Sequence, residues 1–375
     1  MSETINVGLD FGTSNSGIAA YENGEVEIFR TREGQPTQPS SIFIRIDGYV
    51  SVGDQAVEDY LNPEQHGERY HFIPSLKPAL HEERYDGNVL QSRRTIIDGR
   101  YLTRYFPVQE LGAAVISDLK NRAETVTDRA AEGVVLGRPV FFSDNENEDR
   151  LAQERLRDSA EKAGFKEIQF VLEPVAAALY YERNYAKPEA HKVFVFDFGG
   201  GTLDVSVLNY DQNHFDGQGP RRGRDPSETV LSTNGIDLGG TDFDKDVFRG
   251  RFLRYFGSEV TYDSIERHMP AHIHANITEW HLIEAARLRD GYKALEKIVV
   301  DRHCSDRPAV ERLITLIEDQ QVFSLLRTIE GAKIQLGTVD PAQISHHHKS
   351  IEIDEPLSRA EFEEIIEPRL DLIQA

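Results

Sequence analysis

The chain has 375 residues, 28% of them charged and 39% hydrophobic, and its 64 Asp and Glu against 42 Lys and Arg give a formal charge of −22 at pH 7. That length exceeds one small core and predicts about two domains, and the composition excludes wholesale disorder. The acidic balance repels phosphate backbones and anionic lipid, so neither nucleic acid nor a membrane is expected as a partner, and no run of about 18 apolar residues suggests a membrane span.

The first predicted element is a strand in which Ile5, Val7, Leu9 and Phe11 alternate with smaller or polar residues, ending at Gly12 and Thr13. Leu111, Val115 and Leu119 recur at helical spacing, and Val134 to Leu136 form a short strand running into Gly137-Arg138-Pro139. Asp149 to Ala163 reads as a helix that stops at Gly164, a strand follows at Ile168 to Leu172, and Glu173-Pro174 opens another helix with proline at a tolerated first position. Val193 to Phe198 is nearly all apolar, as a fully buried strand would be, and it ends in Gly199, Gly200 and Gly201. Gln212 to Glu228 is polar and rich in Gly and Pro, predicting an exposed loop. His346-His347-His348 is read the same way, because no carboxylate or cysteine flanks it at metal-ligand spacing. Ser358 to Glu361 forms a capping box ahead of an apolar helix that continues to Ile373.

Val7-Gly8-Leu9-Asp10-Phe11-Gly12-Thr13 is echoed by Val195-Phe196-Asp197-Phe198-Gly199-Gly200-Gly201-Thr202, and each copy reads as strand, glycine turn, strand. At such a bend backbone amides can approach a phosphate with no Cβ between, and the hydroxyls of Thr13, Ser14 and Thr202 add donors. Asp10 and Asp197 precede the bends and Asp204 follows the second, offering carboxylates where a phosphate-bound Mg²⁺ needs oxygen ligands or hydrogen-bonded waters. Either motif alone fits a tight turn with a capping aspartate; two copies shift the balance towards phosphate binding. There is no Walker-type Gly-Lys-Ser/Thr and no strand-linked Gly-x-Gly-x-x-Gly, so a P-loop and a dinucleotide fold both lack their mechanical part.

These residues resemble the ATPase domain of the heat shock protein 70 (DnaK) family, within the actin and sugar-kinase superfamily, over almost the whole chain. Gly8 to Ser16 looks like the family's first phosphate loop, with Gly12, Thr13, Ser14 and Asn15 at the phosphates, and Phe196 to Ser206 its second, with Gly199, Gly200, Gly201 and Thr202. Leu238 to Asp244 is similar to a segment that places Gly239 and Gly240 near the nucleotide, and Leu326 to Leu336 to a helix flanking adenosine, which makes Glu330 and Lys333 ribose contacts. The Glu173-Pro174-Val175-Ala176-Ala177 segment is similar to the connecting motif, implying that Glu173 positions the metal shell and the attacking water; Lys77 corresponds to a lysine near the γ-phosphate.

The resemblance implies an α/β fold of two ribonuclease H-like lobes, each a mixed sheet flanked by helices. Lobe I would cover 1–188 with a peripheral part at about 39–108, and lobe II 189–375 with a peripheral part at about 239–322. It implies ATP or ADP with Mg²⁺ as ligands, Lys77, Glu173, Asp197 and Thr202 as catalytic groups, Asp10, Asp197 and Asp204 around the metal, and slow ATP hydrolysis used as a conformational switch. The partner would be a co-chaperone or client protein, and with Cys304 the only cysteine and no signal-like start, the expected home is a reducing cytoplasm. Three departures stand out: Gly137-Arg138-Pro139-Val140 replaces the family's Val-Pro-Ala and looks more like the YegD-like branch, whose members lack the usual peptide-binding domain; Gly337 replaces a serine near adenine; and no Gly-Gly-x-Ser/Thr loop follows Glu330, so lobe II is expected to be C-terminally incomplete. A small-molecule kinase of the same superfamily, and a non-catalytic or filament-forming actin-like protein, are the alternatives.

Overall fold

A computed structural model describes residues 4–45, 48–62, 70–81, 107–185, 191–210, 229–275, 277–278 and 290–374. The loop expected at Gln212 to Glu228 lies outside them. The chain divides into two compact units, Met1–Gly239 and Gly240–Ala375. Among the described residues no helix is long and apolar enough to cross a membrane.

The first unit holds twelve described strands: β1 (Thr4–Phe11), β2 (Asn15–Glu22), β3 (Glu25–Ile28), β4 (Gln38–Pro39), β5 (Ile42–Arg45), β6 (Val50–Val52), β7 (Tyr70–Ile73), β8 (Ala130–Arg138), β9 (Glu167–Leu172), β10 (His191–Phe198), β11 (Leu203–Tyr210) and β12 (Val230–Ile236). Its helices are α1 (Gly53–Leu61), α2 (Val108–Thr127), α3 (Glu146–Lys162) and α4 (Glu173–Tyr185), with a short 3₁₀ turn at Lys77–Leu80. The main sheet runs β3-β2-β1-β8-β9 with β4 also on β2; β1 and β2 form an antiparallel hairpin, whereas β8 joins β1, and β9 joins β8, in parallel. Parallel neighbours need a crossover, and α3 provides the one between β8 and β9. Strand β1 alternates strictly, with Ile5, Val7, Leu9 and Phe11 inward, which fixes its register and leaves Asp10 on the opposite face.

The second sheet, β10-β11-β12, is antiparallel throughout. Helix α4 covers one face through Val175 and Ala178, against Val193, Val195 and Leu208. The expectation of a fully buried β10 is corrected here: Phe194 and Phe196 on the other face are 65% and 53% exposed. An antiparallel sheet can carry a single covered face, and the continuous apolar run does not report which.

The second unit comprises α5 (Gly240–Val247) extended by a π turn at Phe248–Phe252, α6 (Ala271–Ala275), α7 (Asp290–Val300), α8 (Arg307–Glu318), α9 (Val322–Gln335), α10 (Arg359–Gln374), and two hairpins, β13 (Thr261–Tyr262) with β14 (Arg267–His268) and β15 (Ala342–His348) with β16 (Ile351–Leu357). Its core centres on Phe248 and Phe256, stacked 5.8 Å apart, with Leu295, Leu313, Leu325 and Ile329 around them. The capping box holds on the serine side, where the Glu361 amide donates to Ser358 Oγ at 3.2 Å.

The solvated loop expected at His346-His347-His348 is instead the end of strand β15. Ala342, Ile344 and His346 share its inward face, and His346 is 6% exposed. Strict alternation was present, but a histidine in an inward slot reads as polar. His347 and His348 pair with Asp354 at 2.9 Å and Asp319 at 2.8 Å.

Candidate functional site

The acids expected at the phosphates, Asp10, Glu173, Asp197 and Asp204, all lie in the first unit. The β1–β2 hairpin carries Asp10 at its end, and the β10–β11 hairpin carries Asp197 directly opposite Asp204 across the ladder. The second turn is closed by the Gly199 amide on the Thr202 carbonyl at 2.9 Å.

The two turns meet: a Cβ placed on Gly201 would sit 2.9 Å from Thr13 Oγ1, so the sequence repeat is also a spatial pair. Gly239 lies against the same turn, where a Cβ would stand 2.4 Å from the Gly200 carbonyl carbon and the Gly201 nitrogen, closer than real Cβ atoms come. Only glycine lets that backbone pass. Beside Gly137, Asp10 Oδ1 and Glu173 Oε1 are each 3.8 Å from where a Cβ would lie.

Lys77 joins this group. Its 3₁₀ turn is docked on α3 by the buried Arg155, whose guanidinium donates to the Leu80 carbonyl, and its Nζ reaches Glu173 Oε1 at 2.8 Å. The pair is well covered, with 7% and 17% of the two side chains exposed.

Among the described residues, Lys77 is the cation that offsets these acids. The Asp10 carboxyl keeps some solvent access but is surrounded by protein; loss of water, followed by repulsion from Glu173, pushes it up to about 6, against the pull of Lys77. Burial also raises Asp204 to about 6, opposed by the Val140 amide, which donates to Asp204 Oδ1 at 3.0 Å, and by the Thr202 hydroxyl. Asp197 is raised too, chiefly by burial and then by Glu173. Acids held this way favour whatever positive charge can be brought among them.

Among the described residues no three Asp, Glu, His or Cys side chains are grouped to chelate a metal directly. Asp10, Asp197 and Asp204, on the two hairpins, are the carboxylates that could hold a hydrated cation.

In the second unit, Glu330 and Lys333 stand one turn apart on α9. The Lys333 ammonium, expected at a ribose, is engaged by the Gly240 carbonyl at 2.9 Å and by Asp244 at 2.8 Å. Burial pushes Asp244 up to about 6 despite that lysine.

Two contributors were not foreseen from the sequence. Ser40 braces the first turn, donating its Oγ to the Gly12 carbonyl at 2.8 Å and its amide to the Ser14 carbonyl at 2.9 Å. The other is the Val140 amide on Asp204. A backbone donor has no side-chain signature, and Ser40 sits in an ordinary Pro-Ser-Ser sequence.

The Hsp70 protein family profile matches residues 6–272. The chain belongs to the Hsp70 family. It is 30% identical over 315 residues to the chaperone protein DnaK of Trichormus variabilis, covering 77% of this chain and 42% of that protein. It is 31% identical over 264 residues to the DnaK of Elusimicrobium minutum, covering 68% and 37%, and 29% identical over 244 residues to a chaperone protein HscA homolog of Bordetella petrii, covering 64% and 35%. The chain thus spans less than half the length of these Hsp70 relatives. Its α/β architecture, a mixed sheet with flanking helices and duplicated glycine hairpins, is the actin-like ATPase fold of the Hsp70 nucleotide-binding part.

Proposed function

We propose that this Hsp70-family chain binds ATP with Mg²⁺ and hydrolyses it slowly, as a conformational switch read by a co-chaperone or client protein in the cytoplasm. The observation that carries this reading is the meeting of the two glycine turns at Thr13 and Gly201 beside the Lys77–Glu173 pair. We further assign the chain to the YegD-like branch on its Gly137-Arg138-Pro139-Val140 segment, and divide it into lobes at 188/189.

The turns at Gly12–Asn15 and Gly199–Thr202 clamp the phosphates with backbone amides and hydroxyls, and Gly239 and Gly240 close the approach from a third segment. Mg²⁺, when bound, supplies charge neutralisation at the phosphate oxygens. Glu173 accepts a hydrogen bond from the attacking water and Thr202 orients it, while Lys77 moves its positive charge between Glu173 and the transferred γ-phosphoryl group. Asp10, Asp197 and Asp204 would hold the hydrated ion. In the second unit, Glu330 and Lys333 of α9 are proposed as ribose contacts.

The test is thermal unfolding with Mg²⁺ and ATP, with ADP, or with neither, alongside Asp197→Ala and a phosphate-release assay. Ligand at ~100 times its Kd adds about 2.7 kcal/mol, a shift of a few degrees. A shift in the unmutated chain alone, with phosphate released, supports the reading; equal midpoints in every condition overturn it.

A further inference from the structure

Arg138 ends β8 beside the acidic site, yet its guanidinium is turned on the backbone of the loop that follows. Nε donates to the Pro139 carbonyl at 3.0 Å, and one terminal nitrogen donates to the Val140 carbonyl at 3.1 Å and to both oxygens of Asp149 at 2.7 and 3.0 Å. The other terminal nitrogen binds Gln153 Oε1, and the plane lies 5.1 Å from the Phe142 ring. Asp149 Oδ1 also accepts the Phe142 amide at 2.8 Å, so both ends of the 139–142 loop are tied to the first half of α3.

The Pro139 carbonyl and the Val140 N–H are the two ends of one peptide unit, and that N–H is the donor to Asp204 Oδ1. On the other side Asp204 lies close to Gly235, where a Cβ would stand 2.8 Å from the same oxygen. We propose that Arg138 is a positioning residue for Asp204, fixing and polarising the Pro139–Val140 peptide so that its amide holds the carboxylate in the orientation used at the phosphate-bound ion.

Three physical points carry this. A charged donor on a peptide oxygen strengthens the N–H at the far end of that peptide, because linked hydrogen bonds polarise one another in a low-dielectric setting. The guanidinium's fixed fork can address two successive carbonyls and a carboxylate at once, which a lysine's single ammonium cannot do with the same geometry. Asp149 neutralises the cation, so Arg138 steers the backbone without competing with Lys77 for the phosphates.

The inference rests on the nucleotide reading above, and the experiment separates the two. ADP affinity is measured by titration calorimetry, with Mg²⁺ and with EDTA, for the unmutated chain, Arg138→Met, Arg138→Lys, Asp204→Asn and the double variant Arg138→Met with Asp204→Asn. Arg138→Met is expected to weaken binding about tenfold in Mg²⁺, as loss of an outer-shell partner does, and less than about twofold in EDTA. Arg138→Lys recovers part of the loss, and in the Asp204→Asn background Arg138→Met has no further effect. An equal loss with and without Mg²⁺, a fully additive double variant, or no loss at all overturns the inference and leaves nucleotide binding standing; an unmutated chain that binds no ADP overturns both. Should Arg138→Met be unfolded at the assay temperature, Asp149→Asn, which releases the guanidinium from α3, is read by the same criteria.

Discussion

Two of the regions where this chain buries ionisable groups do so on different terms. Around the paired turns of the first unit, Asp10, Asp197, Asp204 and Glu173 share Lys77 as the cation that offsets them among the described residues, and burial and repulsion from Glu173 hold Asp10 and Asp204 at about 6. In the second unit, Asp244 is also raised to about 6 by burial, with Glu330 and Asp242 repelling it, but it holds Lys333 directly at 2.8 Å; His346 is packed into an apolar core that pushes it down to about 4, its Nε2 without a hydrogen-bond partner among the described residues. In the first arrangement the carboxylates of the two hairpins outnumber the cation that the described residues bring to them, and they converge at the paired glycine turns. In the second, the carboxylate is matched by a lysine in direct contact. Burial raises the acids in both regions; what differs is the ratio of acids to cations in contact with them.

The largest expected effect comes from taking away Lys77. Lys77→Ala removes the charge that opposes the acids, so single-turnover phosphate release should fall about 100-fold, on the scale of losing one transition-state donor, while ATP affinity changes only a few-fold. Unchanged turnover removes Lys77 from the mechanism. The corresponding loss in the second unit, Lys333→Met, should act chiefly through stability, because a buried pair that loses one partner leaves an uncompensated charge at Asp244, while the lost ribose contact weakens ATP binding; a lowered melting midpoint with turnover at saturating ATP preserved in the folded fraction keeps the two regions distinct.

A backbone test follows. Gly239→Ala places a Cβ 2.4 Å from Gly200 and Gly201 backbone atoms, which must move. Since those atoms belong to the second turn, the loss should appear as a roughly tenfold weaker affinity for ADP, about 1.4 kcal/mol. Binding equal to the unmutated chain would mean that the turn tolerates the shift and is not the phosphate clamp.

How much of this was legible in the sequence depends on whether a residue acts by type or by address. Asp10, Asp197 and the glycine runs could be read because both copies of the hairpin keep their functional residues within a few positions of one another. Glu173 and Lys77 were read by resemblance, and the distance between them, 96 residues along the chain and 2.8 Å in space, has no local signature. Ser40 and the Val140 amide were missed because a serine and a peptide N–H look the same wherever they fall. Two errors of the fold reading share another cause: Phe194 and His346 were assigned by residue class, whereas the sheet's covered face decided the one and the inward register of β15 the other.

Opposite pKa displacements predict opposite responses to pH. His346 titrates lower in the folded chain than unfolded, so the unfolded chain binds more protons between about pH 6.5 and 4, and stability is lost as pH falls through that window. His346→Leu should remove that loss, narrowing the gap in melting midpoint between pH 7 and pH 5 by an amount corresponding to about 1–2 kcal/mol. Asp204 titrates higher folded than unfolded, so here the folded chain binds the extra proton between about pH 4 and 6, and stability falls as pH rises through that range. Asp204→Asn, which can still accept from the Val140 amide, should therefore raise the nucleotide-free midpoint at pH 7 by about 1–2 kcal/mol and hardly at all at pH 4. Equal effects at both pH values would place the origin in packing.

The smallest effect belongs to Gly331, on α9 between Glu330 and Ala332, where an added Cβ meets nothing within 4 Å. A glycine in a helix interior loses backbone entropy that alanine does not, so Gly331→Ala should stabilise the nucleotide-free chain by about 0.5–1 kcal/mol, visible as a midpoint higher by about 1–2 °C. The same variant also sharpens the contrast between the units. If α9 flanks a ribose as proposed, the new methyl group next to Glu330 should weaken ADP by a few-fold even as the free chain gains stability, the opposed outcome characteristic of a binding surface. Gain of stability with unaltered affinity would make α9 a structural helix like its neighbours, its Lys333 explained by Asp244 alone.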